Sequence, residues 1–173
     1  MNYAKIKNND VANGKGIRVS LFVSGCNRHC KNCFNKETWD FNFGHEFSEK
    51  VTEQIIELLR PAHISGLTIL GGEPMEPSNQ IGILPLIRKV RSVYGNYKDI
   101  WLYSGYTYEE LTSNNNANYN ITKDILSQID VLVDGPFIES LKDISLQFRG
   151  SANQRIIDMD KTIKNNKVTE YTN

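Results

Sequence analysis

The chain has 173 residues, and its 20 Lys plus Arg match its 20 Asp plus Glu. Balanced charge gives no overall pull toward nucleic acid or membrane, although a local basic patch is compatible with it. No apolar run approaches the roughly 18 residues of a spanning helix, and the opening Met1-Asn2-Tyr3-Ala4-Lys5 lacks the apolar core of a leader peptide. These features predict a soluble, cytoplasmic protein in a reducing compartment. Residues 1–160 are read as one domain, long enough to bury about 70% of its unfolded surface, and the polar residues 161–173 as a frayed, flexible tail.

Ile17 to Val23 alternates Ile17, Val19, Leu21 and Val23 with Arg18, Ser20 and Phe22, the period of a strand. Ser24-Gly25 ends it. The spacing of Val51, Ile55, Leu58 and Leu59 predicts a helix over Glu49 to Arg60, with Ser48 as its cap and Pro61 as its stop. Leu67 to Leu70 reads as a buried strand. Ile83, Leu84, Ile87, Val90 and Val93 recur at helical spacing, and Pro85, tolerable only in a first turn, places the start of that helix close to itself. Gly95 ends it.

Asp99 to Tyr103 is the next strand, and Thr107 to Leu111 supports a helical turn or two. Ser113, Asn114, Asn115, Asn116 and Asn118 predict an exposed loop. Thr122 to Gln128 is a short helix and Asp130 to Val133 a strand. Strands alternating with helices predict an α/β fold with right-handed crossovers and a mainly parallel sheet. About five strands are too few for eight βα units, so a partial, open barrel is expected. The loops after the strands then gather at one edge of the sheet.

All three cysteines, Cys26, Cys30 and Cys33, fall in the first of those loops, spaced C-x3-C-x2-C. An odd count argues against a disulfide framework. A [4Fe–4S] cluster has four iron corners, so three thiolates leave one iron open to a non-protein ligand. A structural zinc site would need a fourth ligand, and His29 or His45 would have to supply it. The second loop is Gly71-Gly72-Glu73-Pro74. Its glycines admit a ligand close to the backbone, Glu73 can accept from an ammonium group, and Pro74 fixes the exit of the chain.

These two motifs together resemble those of the radical S-adenosylmethionine superfamily. The resemblance implies that Cys26, Cys30 and Cys33 hold one [4Fe–4S] cluster, and that Gly71, Gly72, Glu73 and Pro74 receive the amino group of S-adenosylmethionine bound at the open iron. Asn32 stands where many members carry an aromatic residue before the last cysteine. Further on, Asp130-Val-Leu-Val-Asp134-Gly135-Pro136-Phe137 and Phe148-Arg149-Gly150-Ser151-x-Asn153-Gln154-Arg155-Ile156-Ile157, with Cys33-Phe34-Asn35-Lys36-Glu37-Thr38-Trp39 upstream, are similar to the family that activates anaerobic ribonucleotide reductases.

That likeness, over about residues 10 to 160, implies reductive cleavage of S-adenosylmethionine and a glycyl radical installed on the large subunit of a class III reductase. A one-electron donor such as flavodoxin would be a second partner, and a homodimer or a heterotetramer with the reductase a compatible assembly. No catalytic acid or base is expected beyond the cluster ligands. A small-molecule enzyme such as a 7-carboxy-7-deazaguanine synthase is the alternative within the superfamily. A non-enzymatic iron–sulfur or zinc module is the alternative outside it.

Ser104, Gly105 and Asp134, at the tips of later strands, are read either as cofactor contacts or as turn residues. Arg149, Asn153, Gln154 and Arg155 are open to three readings: a carboxylate grip, a structural network, or a partner contact. Trp39, Phe41, Phe43 and Phe47 either pack a long loop over the cluster or face a protein partner.

Overall fold

The computed structural model describes residues 1–113 and 118–172. Seven strands form one sheet in the order β3-β1-β2-β4-β5-β6-β7. They are β1 (Asn2–Asp10), β2 (Ile17–Val23), β3 (His45–Glu46), β4 (Ile64–Gly71), β5 (Asp99–Tyr103), β6 (Val131–Asp134) and β7 (Arg155–Asp158). The helices are α1 (Glu49–Leu59), α2 (Pro77–Tyr94), α3 (Tyr108–Leu111), α4 (Tyr119–Leu126) and α5 (Met159–Asn165).

β2, β4, β5 and β6 are parallel neighbours. β1 runs antiparallel to β2 and to β3, and β7 antiparallel to β6. The sheet is therefore mixed rather than mainly parallel, and it is open. The reason lies in the connections. A short glycine-bearing loop joins β1 to β2 as a hairpin, and β7 returns from β6 without a crossover helix, so each lies antiparallel to its neighbour.

One face of the sheet, through Val19, Leu21, Leu67, Ile69, Ile100, Leu102 and Leu132, packs into a single core with Ile55 and Leu59 of α1, Ile83, Ile87 and Val90 of α2, and Ile125 of α4. The alternate positions face away from those helices. Trp101, Val131 and Val133 cluster there with Tyr103, Phe148 and Tyr171. Arg18, 0% exposed, lies among them. It donates to Thr68 Oγ1 (2.7 Å) and the Leu67 carbonyl (2.9 Å), pairs with Asp99 at 2.6 Å, and lies over the Trp101 ring.

One expectation changes. α2 begins at Pro77, not near Pro85, which lies inside the helix. Pro77 occupies the first turn, where its missing N–H is harmless, and Pro85 lies on the exposed side of the helix, as does Ile81 one turn back. At the start of the polar C-terminal segment, Asp158 caps α5 by accepting from the Lys161 N–H at 3.0 Å, and Met159 and Thr162 are buried. Farther on, Tyr171 meets Trp101 edge-on at 5.4 Å. Of the predicted 113–118 loop, Asn114, Asn115 and Asn116 lie outside the described residues; Thr107 caps α3 through a reciprocal hydrogen-bonded box with Glu110.

Candidate functional site

The loops that follow β2, β4, β5 and β6 meet at one sheet edge around a cavity of about 540 Å³. Cys26, Cys30, Cys33, Gly71, Gly72, Glu73, Ser104 and Gly105 line it, with Arg28, Phe34, Trp39, Tyr103, Phe148, Arg149 and Gln154. Pro74 and Asp134 are buried beside it and do not line it.

The cysteine loop is folded back on itself. The Gly25 N–H donates to the Thr38 carbonyl at 2.8 Å and the Cys26 N–H to that of Trp39 at 3.1 Å. Left-handed backbone at His29 (φ 46°) and Asn32 (φ 54°) tightens the path between the cysteines. All three thiols are free, Cys26 buried and the other two partly exposed. Burial pushes the Cys26 thiol up to about 11, with the charges of Glu73 and Glu76 adding to it against N–H groups of Arg28 and His29. A cation bound beside it would favour its thiolate form instead.

His29 stacks on Trp39 at 4.6 Å, and His45 packs on Tyr3 in the β1–β3 pair. Among the described residues, no three His, Cys, Asp or Glu side chains are grouped to hold a metal ion. A cubane is larger than one ion and takes each thiolate at a separate iron corner.

Gly72 and Glu73 extend the β2–β4 pairing, through Gly72 N–H to Val23 O (2.8 Å) and Glu73 N–H to Gly25 O (2.9 Å). A side chain on Gly72 would lie 2.6 Å from the Gly25 carbonyl, so only glycine permits this approach of the two loops. Glu73, 1% exposed, accepts from the Ser104 hydroxyl (2.9 Å), the Met75 N–H (2.9 Å) and the Gly105 N–H (2.6 Å). Burial raises its carboxyl to about 7, held from going higher by those donors and by the charge of Arg28. Ser104 and Gly105 thus orient Glu73, a role neither sequence reading assigned them. Arg28 lies over the Tyr106 ring at 4.5 Å, and its buried Nε has no hydrogen-bond partner among the described residues.

Asp134 is fully buried, accepts from the Tyr108 N–H at 2.7 Å and is ion-paired to Arg155, which also reaches Glu109. Arg149 donates to the Gln154 carbonyl and Gln154 to that of Gly135, while Asn153 donates to the carbonyl of Pro136. The polar cluster is therefore a network that closes the β6–β7 connection, and Arg149 and Gln154 also border the cavity. Of the aromatic run, Trp39 packs on His29 and Phe47 meets Tyr3 edge-on at 6.1 Å. The Phe41 ring covers Gly25. Three residues escaped sequence reasoning: Arg28, Glu76 and Asn79. For Glu76 a signal existed, since Pro77 in a first helical turn makes the preceding residue the cap.

Residues 12–157 match a family model described as a 4Fe-4S single cluster domain. The anaerobic ribonucleoside-triphosphate reductase-activating protein of Vibrio cholerae is 43% identical over 158 residues, covering 90% of this chain and 97% of that one. Those of Haemophilus influenzae and Escherichia coli are 42% and 40% identical, covering 90% and 89% of this chain and 97% and 96% of theirs. The chain belongs to the family of anaerobic ribonucleoside-triphosphate reductase-activating proteins. As a reductase-activating protein of the 4Fe-4S class, it carries its three cysteines and every loop around the cavity inside the matched region. Among the described residues no helix is long and apolar enough to cross a membrane.

Proposed function

We propose that this activating protein holds one [4Fe–4S] cluster on Cys26, Cys30 and Cys33 and binds S-adenosylmethionine at the open iron. Its product is a glycyl radical on the large subunit of a class III ribonucleotide reductase. In this reading the four parallel strands and their helices form the partial barrel of a radical S-adenosylmethionine enzyme. Bound there, the cluster would supply the one electron needed to break the sulfonium bond to the 5′ carbon, with methionine as the leaving group and the hydrogen of the partner's glycine passing to the 5′ carbon.

The chain's own residues fit that pair of groups. Three thiols and no fourth border one cavity, and a bound cation would offset the burial that disfavours the Cys26 thiolate. Gly71 and Gly72 keep side chains out of the wall beside them. Glu73 is oriented by Ser104 and Gly105 to accept from an ammonium group, while the Nε of Arg28, without a partner among the described residues, suits a carboxylate. The observation that carries the reading is the convergence of the cysteine loop and the Gly71–Glu73 loop on one cavity. A flavodoxin-like donor, a homodimer and a heterotetramer with the reductase belong to the same proposal.

Anaerobic reconstitution with iron and sulfide, followed by electron paramagnetic resonance of the reduced protein, tests it. A [4Fe–4S]⁺ signal that changes on adding S-adenosylmethionine is the expected result. A bound zinc, or a cluster signal indifferent to S-adenosylmethionine, would overturn it.

A further inference from the structure

The first turn of α2 grips the cysteine loop from below. Glu76, 3% exposed, accepts from the Asn27 N–H at 2.8 Å with one carboxylate oxygen and from the Asn27 side-chain amide at 3.1 Å with the other. Asn79, less than one turn on, donates to the Ser24 carbonyl at 3.0 Å and to that of Glu73 at 3.0 Å. Cys26 is thus bracketed on both sides, at Ser24 and at Asn27, by one helix end. That end cannot drift, because Ile83, Leu86, Ile87 and Val90 of the same helix are fully buried.

We infer that Glu76 is a positioning residue for the cluster loop: by fixing Asn27 it sets the path from Cys26 to Cys30, and its charge shapes the field at Cys26. This inference rests on the cluster reading above. With the Asn27 side chain turned over, a neutral amide at position 76 could accept from the Asn27 N–H and donate to the Asn27 side-chain oxygen, whereas burying a carboxylate against uncharged donors costs stability. The charge therefore has its own consequence. A reduced cluster carries one more negative charge than an oxidised one, so a carboxylate beside Cys26 disfavours reduction and holds the midpoint potential down. Glu76 touches neither reacting atom; it acts through the loop.

Two variants separate the hydrogen bonds from the charge. Glu76→Gln keeps an acceptor for the Asn27 N–H and loses the charge; Glu76→Ala loses both. In the metal-free protein, hydrogen exchange at residues 27–33 should quicken about tenfold in Glu76→Ala and stay near wild type in Glu76→Gln. After reconstitution, Glu76→Ala should hold less iron and sulfide per chain. Glu76→Gln should hold the wild-type amount with a more positive midpoint potential.

Loop exchange in Glu76→Ala equal to wild type would overturn the inference, as would a Glu76→Gln protein that fails to restore it or shows an unmoved potential. Should Glu76→Ala fail to fold, Asn27→Ala removes one of the two contacts without touching α2. A smaller, local increase in exchange there supports the inference, and none overturns it. A wild-type protein that takes up no cluster would count against the cluster reading, and the metal-free exchange experiment would still decide the role of Glu76.

Discussion

Burying a carboxylate against two N–H groups and a hydroxyl leaves Glu73 titrating at about 7 instead of 4.5. Between those two values the folded chain holds a proton that the unfolded chain has released, so stability falls as pH rises across that window. The full span corresponds to roughly 3 kcal/mol. Glu73→Gln cannot titrate, and urea unfolding of the metal-free protein from pH 4.5 to 8 should show a flatter dependence than wild type. An undiminished slope would assign the effect to another group. The same proton opposes an ammonium ligand, so S-adenosylmethionine affinity is expected to rise by up to about tenfold from pH 6 to 8, and this rise should vanish in Glu73→Gln.

Cysteines and glycines are where the site was legible in advance, because their chemistry is carried by residue type and short spacing. Cys26→Ala, Cys30→Ala or Cys33→Ala is each expected to abolish S-adenosylmethionine cleavage. Wild-type cleavage by any one of them would refute its place as a ligand. Arg28, Glu76 and Asn79 were not legible. Glu76 meets Asn27 across 49 positions of sequence, and such a contact exists only once two βα loops have been brought to one edge of the sheet.

Among the elements, β2, α1 and β5 could be read with bounds close to those observed because each is strongly periodic and packs on the core. β1 could not. Its Asn2–Asp10 run is rich in Lys and Asn, and its place comes from pairing with β2 and β3 rather than from its own pattern. β7 escaped for a similar reason, being four residues long inside a polar segment. α2 was legible in its apolar face and misleading at Pro85.

Pro85 offers a direct test at this scale. In a helix interior it forgoes a hydrogen bond and costs about 3 kcal/mol against Ala, offset by less than 1 kcal/mol from the stiffer unfolded chain. Pro85→Ala is therefore expected to stabilise the protein by about 2 kcal/mol in urea unfolding, and an unchanged or lower midpoint would show that Pro85 itself is required. Asp134 gives the opposite sign. Losing its bonds to Arg155 and to the start of α3 should make Asp134→Ala less stable by about 2–3 kcal/mol, with the partial exposure of Arg155 keeping the figure below that of a fully buried pair. Its S-adenosylmethionine affinity should change little, which distinguishes the ion-pair role from direct cofactor contact.

At the scale of the molecule, the long connection between β6 and β7 forms a roof held to the cysteine loop by few contacts. Phe137 lies against Phe34 at 5.0 Å, Lys142 stands over the Phe34 ring, and Glu139 pairs with Lys31 at 3.1 Å and is bonded to Asn32. The connection is closed on itself by the bonds of Gln154 and Asn153 to the Gly135 and Pro136 carbonyls, and it reaches the sheet through Phe148, edge-on to Trp101 at 5.4 Å. The site is thus rigid beneath, where α2 and the parallel strands support it, and lightly fastened above. Exposed ion pairs of this kind contribute little because solvent screens them, so reversing one should loosen the roof without unfolding the protein. Glu139→Lys sets a third positive charge beside Lys31 and Lys142. With the reconstituted protein, an iron chelator should strip its cluster about two- to fivefold faster than wild type, at an unchanged melting temperature, followed by loss of cluster absorbance. An unchanged stripping rate would mean that the roof does not control access to the cluster.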